Sequence, residues 1–409
     1  MHGVSTTRVI ARSSDDADDV DLRESLVLDF GDSKTSRVTG HVFGVLTADL
    51  DGGSDRADQF AFTSLADTFD GAVDAWLYQA YVDVERTTGL DRLRIGRQID
   101  YETPEFAFFD GVAVSTAERG EKRARFGLYG GIPVHLYESS RSGDVLFGAF
   151  GECVPWTKGR ARVDWMHLED ETRLSQHEDD LLGLSLWQRV GEKLRFDGRY
   201  SRLEGEDRDV ELGTSWNDAR RDFVVRATWR RLLSTQKDLV LELDPFYGSL
   251  QSLYPYDQLG MSLEKGLGER ATLRGGFDLR RVEDDGDIGT FNRDYDRAYA
   301  GATLHDLFVH GLELELDADA WDADGREVNG WGVSLSRAFA SGLQASLGTY
   351  YSLYKFDLLS SNEREDVRTW FVKVSRTWSK SLRGEIGYDL DDEEDDTFHT
   401  LRVGFTWRF

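Results

Sequence analysis

Apolar and polar residues alternate at every second position through most of the chain. The pattern is clearest at the carboxyl end, where one side of the segment is apolar: Leu401, Val403, Phe405, Trp407 and Phe409. The other side is mainly polar: Thr400, Arg402, Gly404, Thr406 and Arg408. Successive Cβ atoms of a β-strand point to opposite faces of the sheet, so this period predicts strands. No segment keeps a helical period for long, and an all-β chain is therefore predicted.

The polar sides of these strands carry arginine together with aspartate or glutamate, often two residues apart, whereas the apolar sides carry almost no charge. A charge that faces lipid at the bilayer midplane costs about 2–4 kcal/mol in a transmembrane barrel, so this segregation favours one face towards lipid. The other face would line a water-filled lumen, where both signs compensate each other. The predicted lumen-lining residues are Arg92, Arg94, Arg195, Asp197, Arg199, Arg226, Arg230, Arg274, Asp278, Arg280, Glu313, Glu315, Asp317, Asp319, Arg383, Glu385 and Arg402.

The chain stops on its last predicted strand, with an aromatic final residue. This ending resembles the terminal strand of bacterial outer-membrane β-barrels, which typically finishes in Phe with aromatics at alternate positions before it. The resemblance implies that Phe405, Trp407 and Phe409 form an assembly signal for the barrel-assembly machinery. It also implies that the last strand closes the barrel against the first. An ordinary sandwich strand that happens to end in Phe is the alternative.

The connectors between predicted strands alternate between short ones, such as 190–193 and 378–381, and long acidic ones, such as 282–294 and 391–396. Outer-membrane barrels have short periplasmic turns and longer external loops. We therefore expect a single transmembrane antiparallel β-barrel of about 20 strands, with a range of roughly 16 to 22. Residues 37–409 are expected to form this barrel. Residues 1–36 are expected to be a periplasmic N-terminal extension or an extra first strand.

Composition narrows the choice of partners. The formal net charge is −27, from 76 acidic and 49 basic residues, and so negative a chain would repel the phosphates of nucleic acid. Cys153 is the only cysteine, which excludes an internal disulfide, a cysteine-based metal cluster and covalent haem attachment. The first 21 residues contain no apolar core of a secretory signal. Because an outer-membrane protein has to be exported, we expect that a leader peptide was removed or is absent from this numbering.

One internal segment resembles a part of several substrate-diffusion porins. In those proteins a strand after an early hairpin carries G-R-Q and leads into a loop that folds towards the pore, and residues 93–98 here read L-R-I-G-R-Q. The resemblance implies a pore-constriction loop formed by Asp100, Tyr101, Glu102, Glu105 and Asp110. Carboxylates of this loop opposite Arg92 and Arg94 would create a transverse field that favours polar solutes. Alternatively, the phenylalanines of the loop fill a gap at the rim.

No enzymatic motif is present. The eight histidines are scattered, and neither H-E-x-x-H nor G-x-S-x-G occurs. We therefore expect no enzyme, no cofactor and no metal site.

The leading hypothesis is an outer-membrane porin for passive diffusion of small polar or ionic solutes, in contact with outer-membrane lipid and lipopolysaccharide. The alternatives are a barrel sheath around a multihaem cytochrome in a trans-envelope electron conduit, and a soluble acidic all-β binding protein. The first alternative would make the cytochrome a partner, whereas a porin could form a homo-oligomer.

Overall fold

The computed structural model describes residues 1–14, 18–32, 34–50, 73–87, 89–100, 107–135, 140, 142–171, 176–234, 254–283, 293–323, 326–357, 362–393 and 397–409. These residues form 22 strands and no helix. The strands are β1 (His2–Ser13), β2 (Asp18–Phe30), β3 (Val38–Asp49), β4 (Val73–Thr87), β5 (Leu90–Asp100), β6 (Ala107–Thr116), β7 (Arg125–Pro133), β8 (Val145–Cys153), β9 (Gly159–Glu171), β10 (Gln176–Val190), β11 (Leu194–Leu203), β12 (Glu206–Asp218), β13 (Phe223–Leu232), β14 (Tyr256–Gly266), β15 (Ala271–Val282), β16 (Tyr295–His305), β17 (Leu312–Ala323), β18 (Arg326–Ala338), β19 (Leu343–Asp357), β20 (Asn362–Thr377), β21 (Leu382–Asp392) and β22 (Thr397–Arg408). Within the described ranges, no helix is long and apolar enough to cross a membrane.

The sheet closes on itself. Each strand pairs antiparallel with its neighbours in sequence, and β1 pairs with β22 from Val4–Arg408 to Ser13–His399. Backbone hydrogen bonds between Gly3 and Phe409, at N···O distances of 2.8 and 3.0 Å, extend this closing ladder to the last residue. Each of the 22 described strands therefore has a hydrogen-bonded neighbour on both sides, as a barrel in lipid requires. The predicted single antiparallel barrel is confirmed, and the sandwich alternative for the last strand is wrong.

The amino-terminal residues belong to the barrel. Residues His2–Ser13 and Asp18–Phe30 are β1 and β2, and they pair with each other, with β22 and with β3. Of the two expectations for residues 1–36, the periplasmic extension does not agree with this pairing, and the extra strand agrees with it in kind, although the segment supplies two strands rather than one. Their acidic and hydroxyl-rich sequence hides the alternation that is plain elsewhere.

The two rims of the barrel differ. Both chain termini lie at one rim, hereafter the terminal rim, where short connectors such as 191–193, 219–222 and 378–381 join the strands. The connectors of the opposite rim, hereafter the loop rim, include the long segments 50–72, 233–255 and 283–294. A few loop-rim connectors are short as well, and only residues 204–205 separate β11 from β12.

The two faces of the sheet differ in polarity. Residues that are opposite each other in the register share a face, and one face carries exposed apolar side chains all round, for example Phe405 at 50%, Ile95 at 50% and Leu347 at 54% exposure. The other face includes side chains with no exposure, such as Leu146 and Phe109. Side chains crowd together on the concave side of a cylinder, so the face with the exposed apolar side chains is the outer face.

A row of glycines crosses three strands on the inner face. Gly96 of β5 is opposite Gly111 of β6, which is opposite Gly131 of β7. A Cβ on Gly111 would lie 2.1 Å from the Gly130 carbonyl oxygen, and Gly96 has a φ of +127°. The strand backbones thus approach so closely that only glycine fits, which allows the sheet to bend sharply at this row.

Candidate functional site

The inner face of the barrel carries many charged side chains. The register places there, on the face opposite the exposed apolar residues, the following predicted lumen-lining residues: Arg92, Arg94, Arg195, Asp197, Arg199, Arg226, Arg230, Arg274, Asp278, Arg280, Glu313, Glu315, Asp317, Asp319, Arg383, Glu385 and Arg402. These residues point inwards because side chains alternate between the two faces of a strand, and each of these residues is next in sequence to an apolar residue that points outwards.

Near the amino end, Arg94 of β5 is held in a fixed orientation. Its Nε and Nη2 donate to the two oxygens of Asp83 on β4, at 2.8 and 2.7 Å. The guanidinium carbon lies 3.6 Å from the centroid of the Tyr81 ring. A two-point ion pair with a stacked ring positions a guanidinium more rigidly than a single contact does.

Two ion pairs link the strands at the closure of the barrel. Arg8 of β1 reaches past β22 to Glu385 of β21, with an Nη2–Oε1 distance of 3.0 Å. Arg402 of β22 pairs with Asp389 of β21. Side chains two strands apart meet because the concave surface brings them together.

A column of carboxylates lines β17: Glu313, Glu315, Asp317 and Asp319. Arg274 of β15 reaches past β16 to Glu315 and Asp317, and its Nη2 lies 2.6 Å from Oδ1 of Asp317. Arg297 of β16 donates from Nη2 and Nε to Asp319, at 2.5 Å to Oδ2 and 3.1 Å to Oδ1. All the cations named here approach the column from the β15–β16 side.

Further ion pairs lie on the inner face from β11 to β13. Arg195 lies 3.6 Å from Asp197, Arg199 lies 3.3 Å from Glu211, and Arg230 lies 3.4 Å from Asp209. Several of these side chains are about half exposed, with Arg195 at 59% and Arg199 at 46%. The wall from β11 to β13 therefore presents both signs of charge to open space.

The inner wall from β6 to β10 is different, because it holds a buried apolar cluster. Its members are Ala107, Phe109, Ala113, Tyr129, Leu146, Met166, Leu168 and Leu181, with Leu203 packed against them. Arg162 and Asp164 pair at 2.7 Å beside them, and each side chain is only 3% exposed. Sequence reasoning missed this sector. The sequence signal that could have indicated this sector lies in β8, whose sequence VLFGAFGEC is apolar on both faces up to Glu152.

The predicted constriction loop is tested at one position. Tyr101, Glu102 and Glu105, and the side chain of Asp100, lie outside the described residues. Asp110 is a residue of β6, on the same face as Val112 and Ile132, which are 43% and 50% exposed. Its carboxylate pairs with Arg97 of β5. The expectation that Asp110 narrows the pore is wrong, because the strand starts earlier than predicted and its alternation turns this side chain outwards.

The residues of the predicted assembly signal lie together on the outer face at the terminal rim. Phe405, Trp407 and Phe409 are 50%, 53% and 41% exposed. The ring centroids of Trp407 and Phe409 are 4.7 Å apart, and those of Trp378 and Phe405 are 6.5 Å apart. Among the described residues, no group of three or more histidine, cysteine, aspartate and glutamate side chains could hold a metal ion.

No family model matches the chain, and no curated protein matches it. Solved structures resemble it at low identity. The siderophore receptor PirA from Pseudomonas aeruginosa is 13% identical with a TM-score of 0.57, over 100% of this chain and 80% of that chain. A mutant of the ferric enterobactin receptor PfeA from the same bacterium is 10% identical with a TM-score of 0.55, over 100% and 80%. OpdK from Pseudomonas aeruginosa with vanillate is 11% identical with a TM-score of 0.48, over 100% and 97%. At these identities, the likeness to the two receptors shows the fold alone.

Proposed function

We propose that this chain, whose fold is that of the bacterial outer-membrane β-barrels, is a passive channel for small polar or ionic solutes in the outer membrane of a Gram-negative bacterium. The observation that carries the proposal is the division of the closed sheet into an apolar outer face and an inner face of paired arginines and carboxylates. A barrel of this kind can sit in lipid and enclose water at the same time.

The outer face supports insertion into a bilayer. Outward-facing ion pairs are found near the loop rim, such as Arg231 with Asp257 and Arg281 with Asp296 at N–O distances of 3.4 and 2.6 Å. Among the described residues between the rims, the outward positions are mostly apolar, for example Leu184, Leu316 and Ile386, and Glu24 of β2 is a carboxylate among them. Charge at the interfaces costs much less than charge at the midplane. We propose that these outward-facing pairs of Arg and Asp near the loop rim contact the phosphates of lipopolysaccharide.

The inner face supports a solute path along one sector. Barrels of 22 strands enclose a lumen wide enough to hold other material. The apolar cluster on β6 to β10 has side chains with no exposure, so atoms of this chain cover that sector. We place the path along the more exposed charged wall from β11 to β21. Fixed charges of both signs favour solutes that are themselves polar or charged.

A planar lipid bilayer experiment tests the proposal. The refolded barrel is expected to give stepwise current, and the zero-current potential in a salt gradient reports the sign of the field in the lumen. Extraction of the bilayer protein and a heat-dependent gel shift would verify that it is folded and inserted. Folded, inserted protein without current steps would overturn the channel and favour the alternative of a sheath filled by a partner such as a multihaem cytochrome. The soluble-protein alternative does not suit a closed barrel with an apolar outer face.

A further inference from the structure

A row of four inner-face residues crosses β13 to β16 next to the loop rim. Arg230 of β13 is opposite Gln258 of β14, which is opposite Arg280 of β15. Arg280 is in turn opposite Tyr295 of β16. Each of the four lies no more than two residues from the loop-rim end of its strand. Neighbouring strands are about 4.8 Å apart, so the two arginines belong to strands about 10 Å apart with a neutral residue between them.

Arg280 is held in place by an aromatic ring rather than by a carboxylate. Its guanidinium carbon lies 4.0 Å from the centroid of the Tyr256 ring. Its Nε and Nη2 are buried, and the described part of the chain supplies neither of them with a hydrogen-bond partner. Buried donors are normally paired, and an unpaired donor is least favourable when it carries charge. An acceptor at this position would therefore be favourable.

Nε and Nη2 form the edge of a guanidinium that binds two oxygens of one oxyanion at once. Two other arginines of this barrel use the same edge in that way. Arg94 donates from it to both oxygens of Asp83, at 2.8 and 2.7 Å. Arg97 donates from it to both oxygens of Asp110, at 2.9 and 2.7 Å. An oxyanion on a solute would make the same pair of contacts with Arg280.

Three carboxylates close to the row have other partners. Asp278 of β15 lies 3.7 Å from Nη1 of Arg297. Asp294 accepts a hydrogen bond from a backbone N–H of β15 at 2.6 Å. Asp209 of β12 lies 3.4 Å from Nη2 of Arg230, which is a long contact for an ion pair. Of the carboxylates that the structure describes, only Asp209 pairs with an arginine of the row, so the row has an excess positive charge.

Tyr295 and Arg230 provide further donors on the two sides of Arg280. Nε2 of Gln258 donates to the phenol oxygen of Tyr295 at 3.1 Å, so the phenol proton remains for another acceptor. Nε of Arg230 is buried and has no hydrogen-bond partner within the described ranges. Arg226, on the same face of β13, is exposed and extends the positive surface away from the rim. These donors can serve more than two oxygens, which suits a phosphate group better than a planar carboxylate.

We infer that Arg280, Arg230 and Tyr295 bind the phosphate group of a small solute at the loop-rim mouth of the lumen. A phosphate group of an ester carries about 1.5 to 2 negative charges at pH 7 and three strong acceptor oxygens. The concave wall brings side chains two strands apart together, as it does for Arg274 and Asp317. One phosphate group can therefore contact both arginines of the row. The inference rests on the proposed function, because it assigns a class of solute to the channel.

Isothermal titration calorimetry of the refolded barrel in detergent tests this site with inorganic phosphate. Acetate at the same ionic strength is the matched anion, because it carries a planar carboxylate and a single charge. Phosphate is expected to bind about tenfold more tightly than acetate, since it engages both arginines and the phenol. No binding of phosphate, or equal affinity for the two anions, would overturn the inference.

Variants locate the binding. Arg280→Gln is expected to weaken phosphate binding about tenfold, and Arg280→Lys about fivefold, because lysine keeps the charge but lacks the two-donor edge. Tyr295→Phe removes only the hydroxyl group and is expected to weaken binding about threefold. The control is Arg383→Gln, which removes a lumen-facing arginine that donates to Ser375 near the terminal rim. Equal weakening by Arg383→Gln and Arg280→Gln would show general attraction of anions to the lumen and overturn the site. The heat-dependent gel shift verifies that each variant is folded.

Conductance separates this inference from the channel proposal. A barrel that conducts ions but does not bind phosphate would refute the phosphate site and leave the channel standing. A barrel that binds phosphate in detergent but gives no current in a bilayer would refute the channel and leave the phosphate site standing.

Discussion

Arg97 and Asp110 form a two-point ion pair across β5 and β6, with Nε–Oδ1 and Nη2–Oδ2 distances of 2.9 and 2.7 Å. The two residues are directly opposite in the register, and Arg97 also donates from Nη1 to the carbonyl oxygen of Leu77 at 3.1 Å. Both lie on the outer face, three residues from the loop-rim ends of their strands. The pair therefore fastens β4, β5 and β6 together outside the lumen.

Replacement of Asp110 by asparagine is expected to lower the free energy of unfolding by about 1 kcal/mol, since a partly exposed two-point pair is lost. Conductance should not change, because the carboxylate is outside the lumen. Urea unfolding in detergent and single-channel recording check the two parts. Glu118→Gln, which breaks the exposed pair with Arg123 in a terminal-rim turn, is the control. Altered conductance with unchanged stability would contradict this placement and indicate that Asp110 faces the pore.

Glu102 and Glu105 belong to the predicted constriction loop and lie outside the described residues. Their role is tested by the double variant that combines Glu102→Gln with Glu105→Gln. If these carboxylates narrow the pore, their loss shifts the zero-current potential towards anions, because the field in the channel becomes less negative. The control is Glu118→Gln with Glu121→Gln, which removes two acids from the terminal rim. The prediction fails if both double variants have the same selectivity as the parent.

Loss of Glu385 should weaken the closure of the barrel. Glu385→Gln removes the ion pair by which Arg8 connects β1 to β21 across β22, and leaves Arg8 half-buried without this partner. We expect a loss of about 1–2 kcal/mol in unfolding free energy. Glu211→Gln, which breaks the comparable pair with Arg199 away from the closure, is the control. Faster hydrogen exchange confined to β1 and β22 would locate the effect, and uniform exchange would contradict it.

Glu24 is a carboxylate in the middle of β2 on the outer face, where it accepts hydrogen bonds from Ser5 at 2.5 Å and from Thr7. A charge at this depth is unfavourable, so Glu24→Leu is expected to raise stability in lipid by about 1 kcal/mol. Ser5→Ala with Thr7→Ala should instead lower it, because the carboxylate loses its donors. Unfolding in lipid vesicles measures both changes. Changes of the same sign in the two variants would contradict this account.

The carboxyl-terminal aromatics remain a predicted assembly signal. Phe409→Ala is expected to slow folding several-fold when purified barrel-assembly machinery is present and to have a smaller effect on spontaneous folding into vesicles. The Phe409 ring packs directly on Gly3, because a Cβ added to Gly3 would lie 2.7 Å from the ring. Loss of the ring therefore also exposes Gly3. Phe196→Ala, another outward phenylalanine at 45% exposure, is the control. An equal rate loss in both variants would argue against a special role for the last residue.

Local alternation predicted the faces of the strands well. The inward positions of Arg274, Asp317 and Glu385 follow from period two, which depends only on neighbouring residues in sequence. The same logic failed at Asp110 because it requires the start of the strand, and ends are set by cross-strand pairing. It also failed at β8, where an apolar inner face gives no contrast between the two sides.

The sequence by itself determined that the chain forms many antiparallel strands with one apolar and one charged face, because this information repeats every two residues. Only the tertiary structure decided that β1 and β2 belong to the barrel and that 22 strands close it. It alone decided that Arg274 pairs with carboxylates on β17 beyond its neighbouring strand. Closure, curvature and partners two strands away depend on contacts between distant residues, which no local period encodes.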